Sequence, residues 1–71
     1  MTLLDATEGR EYTVTGIHTG DRELESFLFS LGCYSGETIT VVRLRKNGCV
    51  VLIKDGRYNV DRALAGAIEI E

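Results

Sequence analysis

Apolar and polar residues alternate in the first part of the chain over residues 11–18, a pattern that predicts a β-strand. Over residues 11–18, Tyr12 and Val14 alternate with threonines, which is the period of two expected when one face of a sheet is buried. Gly16 interrupts the alternation and indicates a β-bulge or a sharp bend. We therefore expect a first strand that bends towards its end.

The period changes over residues 21–31, where apolar residues follow the i, i+3, i+4, i+7 spacing of an amphipathic helix. These residues are Leu24, Phe27, Leu28 and Leu31. Thr19 or Asp21 can cap the first turn, and Gly32 stands where a left-handed residue commonly ends a helix. An isolated helix of this length is marginally stable in water, so the apolar stripe is expected to dock on the sheet.

Phe29 lies on the same predicted helix but outside its apolar stripe. The commoner explanation of such a residue is that a loop or the chain terminus covers it. The alternative is an exposed aromatic anchor for a binding partner.

The second half of the chain predicts a β-hairpin. Residues 38–45 and 49–54 are rich in β-branched side chains and are joined through Lys46, Asn47 and Gly48. Asn-Gly between two such runs is the strongest short hairpin signal. We therefore expect these two strands to pair through a tight turn.

A third strand, a helical turn and a closing strand are predicted after this hairpin. Residues 55–56 are Asp-Gly and make a second tight turn into residues 57–60. Asp61 can cap one helical turn through Ala65, and the isoleucines at 68 and 70 alternate in a final strand. Five strands with one inserted α-helix and a short C-terminal helical turn predict a mainly β protein, a small SH3-like barrel. An OB-like barrel is the alternative.

Length and charge limit the classes of protein that fit this pattern. At 71 residues, a second domain would leave neither half enough chain for a core, so one domain over residues 1–71 is expected. The formal net charge of −3 argues against nucleic-acid binding, which usually shows a strongly basic surface.

One segment departs from this acidic balance. Residues 43–57 hold five of the eight basic residues and one acid, Asp55, whereas the rest of the chain holds three basic and ten acidic residues. The five basic residues are Arg43, Arg45, Lys46, Lys54 and Arg57. The commoner interpretation is a pair of solvated hairpin edges. The sharper hypothesis is a docking surface for an acidic partner.

Residues able to perform catalysis or to hold a metal are few. His18 is the single histidine, and Cys33 and Cys49 are sixteen positions apart, without a recognised zinc-ligand spacing. A metal site or a nucleophilic pair built from these three residues would require the fold to bring them close together. Buried, reduced cysteines are the commoner outcome. We therefore expect no enzyme and no cofactor.

Membrane insertion is also not expected. The longest apolar run covers residues 49–53, far below the ~20 residues that a membrane span needs. The N-terminus lacks the basic and apolar regions of a signal peptide, so a cytoplasmic protein is expected.

The junction between the helix and the next strand resembles the signature of the FeoA family of ferrous iron transport proteins. Two leucines precede a glycine, a second glycine follows, and an Ile-x-Val strand comes next. The matching residues are Leu28, Leu31, Gly32, Gly36, Ile39 and Val41. The tail over residues 65–70 resembles the closing Ala-x-x-Ile-x-Val of the family, with Ile70 in place of valine. The tight turn at Asn47 and an Asn-Val pair at 59–60 depart from the family's pattern.

The resemblance implies a small cytoplasmic SH3-like protein that assists ferrous iron uptake. It would bind the cytosolic GTP-binding region of the FeoB permease without catalysis of its own. We expect its contact surface to include Phe29, Arg43, Arg45, Lys46 and Arg57. The alternative is a module that senses Fe²⁺ or another transition metal, related to the C-terminal domain of iron-dependent repressors. Weak self-association through edge strands is compatible with both hypotheses, whereas the few aromatic residues disfavour a groove for proline-rich peptides.

Overall fold

The computed structural model describes all residues, Met1–Glu71. Five strands, two α-helices and one 3₁₀ turn follow one another along the chain. They are the 3₁₀ turn (Leu3–Asp5), β1 (Glu11–Ile17), α1 (Arg22–Leu31), β2 (Thr38–Arg45), β3 (Gly48–Ile53), β4 (Gly56–Asp61), α2 (Arg62–Ala67) and β5 (Ile68–Ile70). The predicted boundaries agree with these to within one or two residues, whereas the 3₁₀ turn was not predicted.

The strands form one antiparallel sheet in the order β4-β3-β2-β1-β5. This arrangement confirms the mainly β, SH3-like prediction with one inserted helix. The sheet stays open, because β4 and β5 are its two edges and do not pair with each other. The ladder between β1 and β5 shifts register between Val14 and Gly16, so the predicted bulge at Gly16 is confirmed.

The β2–β3 hairpin is tighter than its sequence suggested. Arg45 pairs with Gly48, so Lys46 and Asn47 form the turn and Gly48 already belongs to the strand. A side chain at Gly48 would collide with the backbone carbonyl of Val60. Glycine is therefore required here because β4 passes close by.

The core lies between the inner face of the sheet and the helical segments. Fifteen buried residues form one cluster, with Val41, Val51 and Ile68 fully shielded from solvent. Leu3 belongs to it because Thr2 caps the 3₁₀ turn and Asp5 accepts a hydrogen bond from the Thr2 N–H group, a capping box. Burying one such aliphatic side chain contributes about 1.5–3 kcal/mol to folding.

Helix α1 is attached to this core by one buried side chain. Leu28 is 2% exposed, whereas Phe27 is 53% exposed and Leu24 and Leu31 are half-buried. The expectation that the whole stripe docks on the sheet is therefore wrong for Phe27. The caps agree with the sequence: Asp21 accepts hydrogen bonds from the backbone of residues 23 and 24, and Gly32 ends the helix with φ 93°.

The remaining positions of the helix–strand motif behave as fold residues. Ile39 and Val41 are both buried on β2. Gly36 has φ 94° with open space around it, so its role is the backbone conformation of the turn before β2.

Candidate partner-binding site

The register of β2, β3 and β4 places three arginines on the outer face of the sheet. Arg43 pairs with Val50, and Val50 pairs with Asn59. Arg57 pairs with Leu52. Directly opposed residues of antiparallel strands project to the same side. Val50 and Leu52 alternate with the core positions of β3 and therefore point outwards. In β2, a bulge between Val41 and Arg43 reverses the alternation and brings Arg43 and Arg45 to the same side. We call this side the outer basic face (Arg43, Arg45, Val50, Leu52 and Arg57).

The charges of the outer basic face are not neutralised within the chain. The two ion pairs of the structure join Lys54 to Glu37 and the N-terminal ammonium to Glu69, and neither includes an arginine. Leu52 is 40% exposed between Thr40 and Arg57, and Val50 is buried although it lies outside the core cluster. The face therefore combines free positive charge with an apolar centre.

Lys46 extends this face at the β2–β3 turn. Arg45 and Lys46 line an open cleft of about 470 Å³ together with Asn59 and Asp61. All four side chains are exposed. Most of its lining is polar, with Arg45, Lys46 and Asp61 as the charged members, so the cleft suits a polar or charged group more than an apolar ligand.

Phe29 lies apart from the outer basic face. It is 64% exposed and stacks on Tyr34, with ring centroids 4.7 Å apart. The interpretation that a loop or the terminus covers it is therefore wrong. Phe29 lines an open depression with Lys54 and Tyr58 beside the β3–β4 turn, and none of Arg43, Arg45 and Lys46 lines it. The β3–β4 turn is at the opposite end of β3 from Lys46, so the predicted surface is divided into two regions.

An apolar cleft between α1, β4 and α2 was missed by the sequence reasoning. It measures about 200 Å³ and is lined mainly by apolar side chains. Its apolar members include the exposed Phe27 and the half-buried Leu31, Tyr58 and Leu64, and Arg57 also lines it. The signal that could have found it is the excess of apolar residues on a ten-residue helix beside a small sheet, which leaves part of the helix uncovered.

The ion pair between Lys54 and Glu37 lies beside the C-terminal end of α1. Lys54 Nζ donates to Glu37 Oε2 at 2.8 Å, and this hydrogen bond lowers the pKa of Glu37 and raises the pKa of Lys54. The aliphatic part of Lys54 lies over Gly32, where a Cβ atom would stand 2.7 Å from Lys54 Cγ. Gly32 is thus needed both for its backbone conformation and for the close approach of Lys54.

His18, Cys33 and Cys49 do not form a metal centre. No group of three or more histidine, cysteine, aspartate or glutamate side chains is close enough to hold a metal ion. His18 is exposed just after β1, and both cysteines are buried and unpaired. These residues do not fit a transition-metal site, which takes three or four converging ligands.

Burial makes both thiols poor ligands and poor nucleophiles. Desolvation raises the pKa of Cys33 to about 11 and also raises the pKa of Cys49. The thiolate is the form that binds metals and attacks electrophiles. The two cysteines therefore behave as small apolar core residues.

Strand order, inserted helix and open outer face together define a small SH3-like β protein. None of its helices has the length and apolar character needed to cross a membrane. The family model of the FeoA domain matches residues 1–71. The chain belongs to the FeoA family.

Solved structures share this fold at low sequence identity. An iron uptake regulatory protein, FeoA, is 24% identical with a TM-score of 0.85, over 99% of this chain and 93% of that one. FeoA of Stenotrophomonas maltophilia complexed with zinc, described as an SH3 domain protein, is 17% identical with a TM-score of 0.86, over 100% and 89%.

A metal-dependent repressor contains a similar unit. A manganese-dependent transcriptional repressor is 21% identical with a TM-score of 0.87, and the match covers 99% of this chain but 40% of the repressor. These likenesses concern the fold. No curated protein sequence matches the chain.

Proposed function

We propose that this protein is a non-catalytic accessory protein of ferrous iron uptake that binds the cytosolic GTP-binding region of the FeoB permease. Membership of the FeoA family supports the pathway. The Stenotrophomonas maltophilia relative is described as a candidate ferrous iron transport activating factor. Residues that would support catalysis are not gathered, since His18 is exposed and both thiols are buried.

The outer basic face is the observation that carries the proposal. Arg43, Arg45 and Arg57 are exposed, have no acidic partner within the chain and share a face with the exposed Leu52. In a chain of net charge −3, such a local concentration of positive charge suits an acidic protein surface. An apolar centre within a charged rim is the usual composition of a protein interface.

Binding of this kind would act on the permease through its conformational equilibrium. A partner shifts an equilibrium only as far as it binds one state more tightly than the other. Exposed Phe29, stacked on Tyr34, provides a second contact region about one strand length away from Lys46. Two separated contacts would let the protein distinguish two conformations of the GTP-binding region.

The proposal is tested by titrating the ¹⁵N-labelled protein with the GTP-binding domain of its cognate FeoB. We expect amide shifts on the outer basic face and around Phe29. Arg43→Glu should weaken binding by about tenfold, which corresponds to about 1.4 kcal/mol, and the loss should diminish at high salt. Arg22→Glu is the matched control, because it changes the net charge equally at an exposed helix start where an acid is tolerated.

Two results would count against this site. If Arg43→Glu and Arg22→Glu weaken binding equally, only the net charge matters and the outer basic face is not the interface. If no amide shifts appear with GDP, with GTP analogues or without nucleotide, the GTP-binding domain is not the partner.

Sensing of Fe²⁺ by this chain receives no support from its geometry. The three candidate ligands His18, Cys33 and Cys49 do not gather with any acid into a metal-holding group. The similarity to a manganese-dependent repressor is one of fold. Ferrous iron would therefore be the cargo of the transport system and not a ligand of this protein.

A further inference from the structure

We propose that the open edge of β4 pairs with the same edge of a second copy of the chain, so that two five-stranded sheets continue into one. This pairing does not rest on the proposed function, although the two surfaces share Arg57. It specifies which strand, which register and which side chains would join the two copies.

Strand β4 is the sheet edge that stays uncovered. The other edge strand, β5, is shielded by the N-terminus: the Ile70 N–H group donates to the Met1 carbonyl at 2.7 Å, and Thr2 forms a β-bridge with Glu69. Strand β4 has six residues without proline or lysine, the residues with which proteins often protect sheet edges.

The hairpin geometry determines which backbone groups of β4 face outwards. Ile53 and Gly56 close a two-residue turn, so they exchange hydrogen bonds, and every second pair after them does the same. The Arg62 N–H group donates to the Asn47 carbonyl at 2.9 Å, which agrees with this phase. The N–H groups of Arg57, Asn59 and Asp61 therefore point away from β3.

A two-fold axis through Asn59 makes this edge complementary to itself. Antiparallel pairing of Asn59 with Asn59 of the second copy brings together the outward-facing backbone groups of both strands. It also sets Arg57 opposite Asp61 of the second copy, twice, on the outer face. Axes through Arg57 or Asp61 would oppose like charges, and axes through Tyr58 or Val60 would leave both charges without an opposite partner.

The side chains that this register joins are available in the single chain. Arg57 is exposed and takes part in neither ion pair. Asp61 Oδ1 accepts the Leu64 N–H group at 2.8 Å, which leaves its second oxygen for an arginine. On the inner face, Tyr58 would stand opposite Val60 of the second copy, beside the apolar cleft that also contains the exposed Phe27.

The expected dimer is weak. A contact of one six-residue strand per copy buries far less than the ~1,200–2,000 Å² of stable interfaces. Cross-strand ion pairs on an exposed face add little to the affinity. We therefore expect monomers at micromolar concentrations and dimers towards about 1 mM.

Charge exchange between two variants tests the register. In a dimer of the Arg57→Asp variant, each of the two cross-strand pairs would hold two acids. In a dimer of the Asp61→Lys variant, each pair would hold two cations. An equimolar mixture restores opposite charges at both positions. We expect sedimentation velocity to show monomers for each variant alone, up to about 1 mM, and a dimer for the mixture at least as populated as in the wild-type protein.

Backbone pairing is tested separately with Asn59→Pro. Its N–H group faces outwards, so proline is compatible with the monomer sheet but removes the central hydrogen bonds of the dimer. We expect loss of the dimer with an unchanged far-ultraviolet circular dichroism spectrum. Arg43→Asp is the control, since it changes the same charge on the same face away from β4 and should dimerise as the wild-type protein does.

Three results would overturn the proposal. The first is a wild-type protein that stays monomeric up to about 1 mM. The second is a dimer that survives Asn59→Pro. The third is a mixture of folded charge variants that does not dimerise while the wild-type protein does. Because only this chain is present, none of these results depends on binding to FeoB.

Discussion

Strand β3 and helix α1 are both rich in apolar residues, yet the fold uses them differently. Strand β3 buries four of its six residues, because it lies in the sheet between β2 and β4. Helix α1 buries one of ten, and both of its phenylalanines are more than half exposed. The sheet therefore holds the fold together, while the helix leaves apolar surface available for contacts.

The contrast has a simple geometric cause. A strand inside a sheet meets neighbours on two sides and packs its inner face against the core. A short helix meets the core along one line, and in α1 that line is Leu28. A domain of this size does not have enough core to cover a second apolar line on the same helix.

The largest expected difference between β3 and α1 is in the free energy of unfolding that is lost when a side chain is truncated. We expect Ile53→Ala to lower the free energy of unfolding by about 2–5 kcal/mol, because Ile53 is 1% exposed and a cavity would remain. Phe29→Ala should cost less than about 1 kcal/mol, since it loses mainly the contact with Tyr34. Urea unfolding measures both. Equal costs would mean that α1 contributes as much to stability as the sheet.

The junction between the helix and the sheet should show a smaller effect. Gly32 and Gly20 both have positive φ, but only Gly32 has a neighbour, Lys54, where a Cβ atom would be. We expect Gly20→Ala to cost about 1 kcal/mol from backbone strain alone and Gly32→Ala about 2 kcal/mol. Unfolding experiments on both variants measure the difference.

A double-mutant cycle assigns that difference to the crowding of Lys54. In a Lys54→Ala background, Gly32→Ala should cost no more than Gly20→Ala does. If the larger cost of Gly32→Ala persists there, the extra strain comes from the backbone and not from Lys54.

The smallest effect concerns the pH dependence of the Lys54–Glu37 pair. Its hydrogen bond lowers the pKa of Glu37 in the folded protein. The stability that it contributes is therefore present above the pKa of Glu37 in the unfolded chain, and is lost as the pH falls through the lower folded value. Lys54→Met keeps the packing over Gly32 but removes the charge.

We expect the difference in stability between the wild-type protein and Lys54→Met to shrink as the pH falls through the acidic range. We also expect the carboxyl resonance of Glu37 to titrate at higher pH in the variant. An unchanged Glu37 titration would mean that the ion pair is not populated in solution. The exposed position of Lys54 keeps the effect small.

Local patterns in the chain were sufficient to predict its strands and α-helices, although not the 3₁₀ turn. The period of two in β1, the helical spacing from Leu24 to Leu31 and the caps at Asp21 and Gly32 all reflect interactions between near neighbours in sequence. The bulge at Gly16 and the β2–β3 hairpin could be predicted for the same reason. The FeoA family was likewise recognisable from the fold residues around Gly32.

Contacts between distant parts of the chain could not be derived in this way. Whether Phe27 and Phe29 are covered depends on how much core surface faces α1, and whether Arg43 and Arg57 share a face depends on the register of three strands. The requirement for Gly48 comes from β4, and part of the requirement for Gly32 comes from Lys54. The sequence by itself determined the strands, the helices and their ends, because those follow from short-range periodicity and capping. Only the tertiary structure decided which surfaces stay free to bind, because exposure is set by packing between residues far apart in the chain.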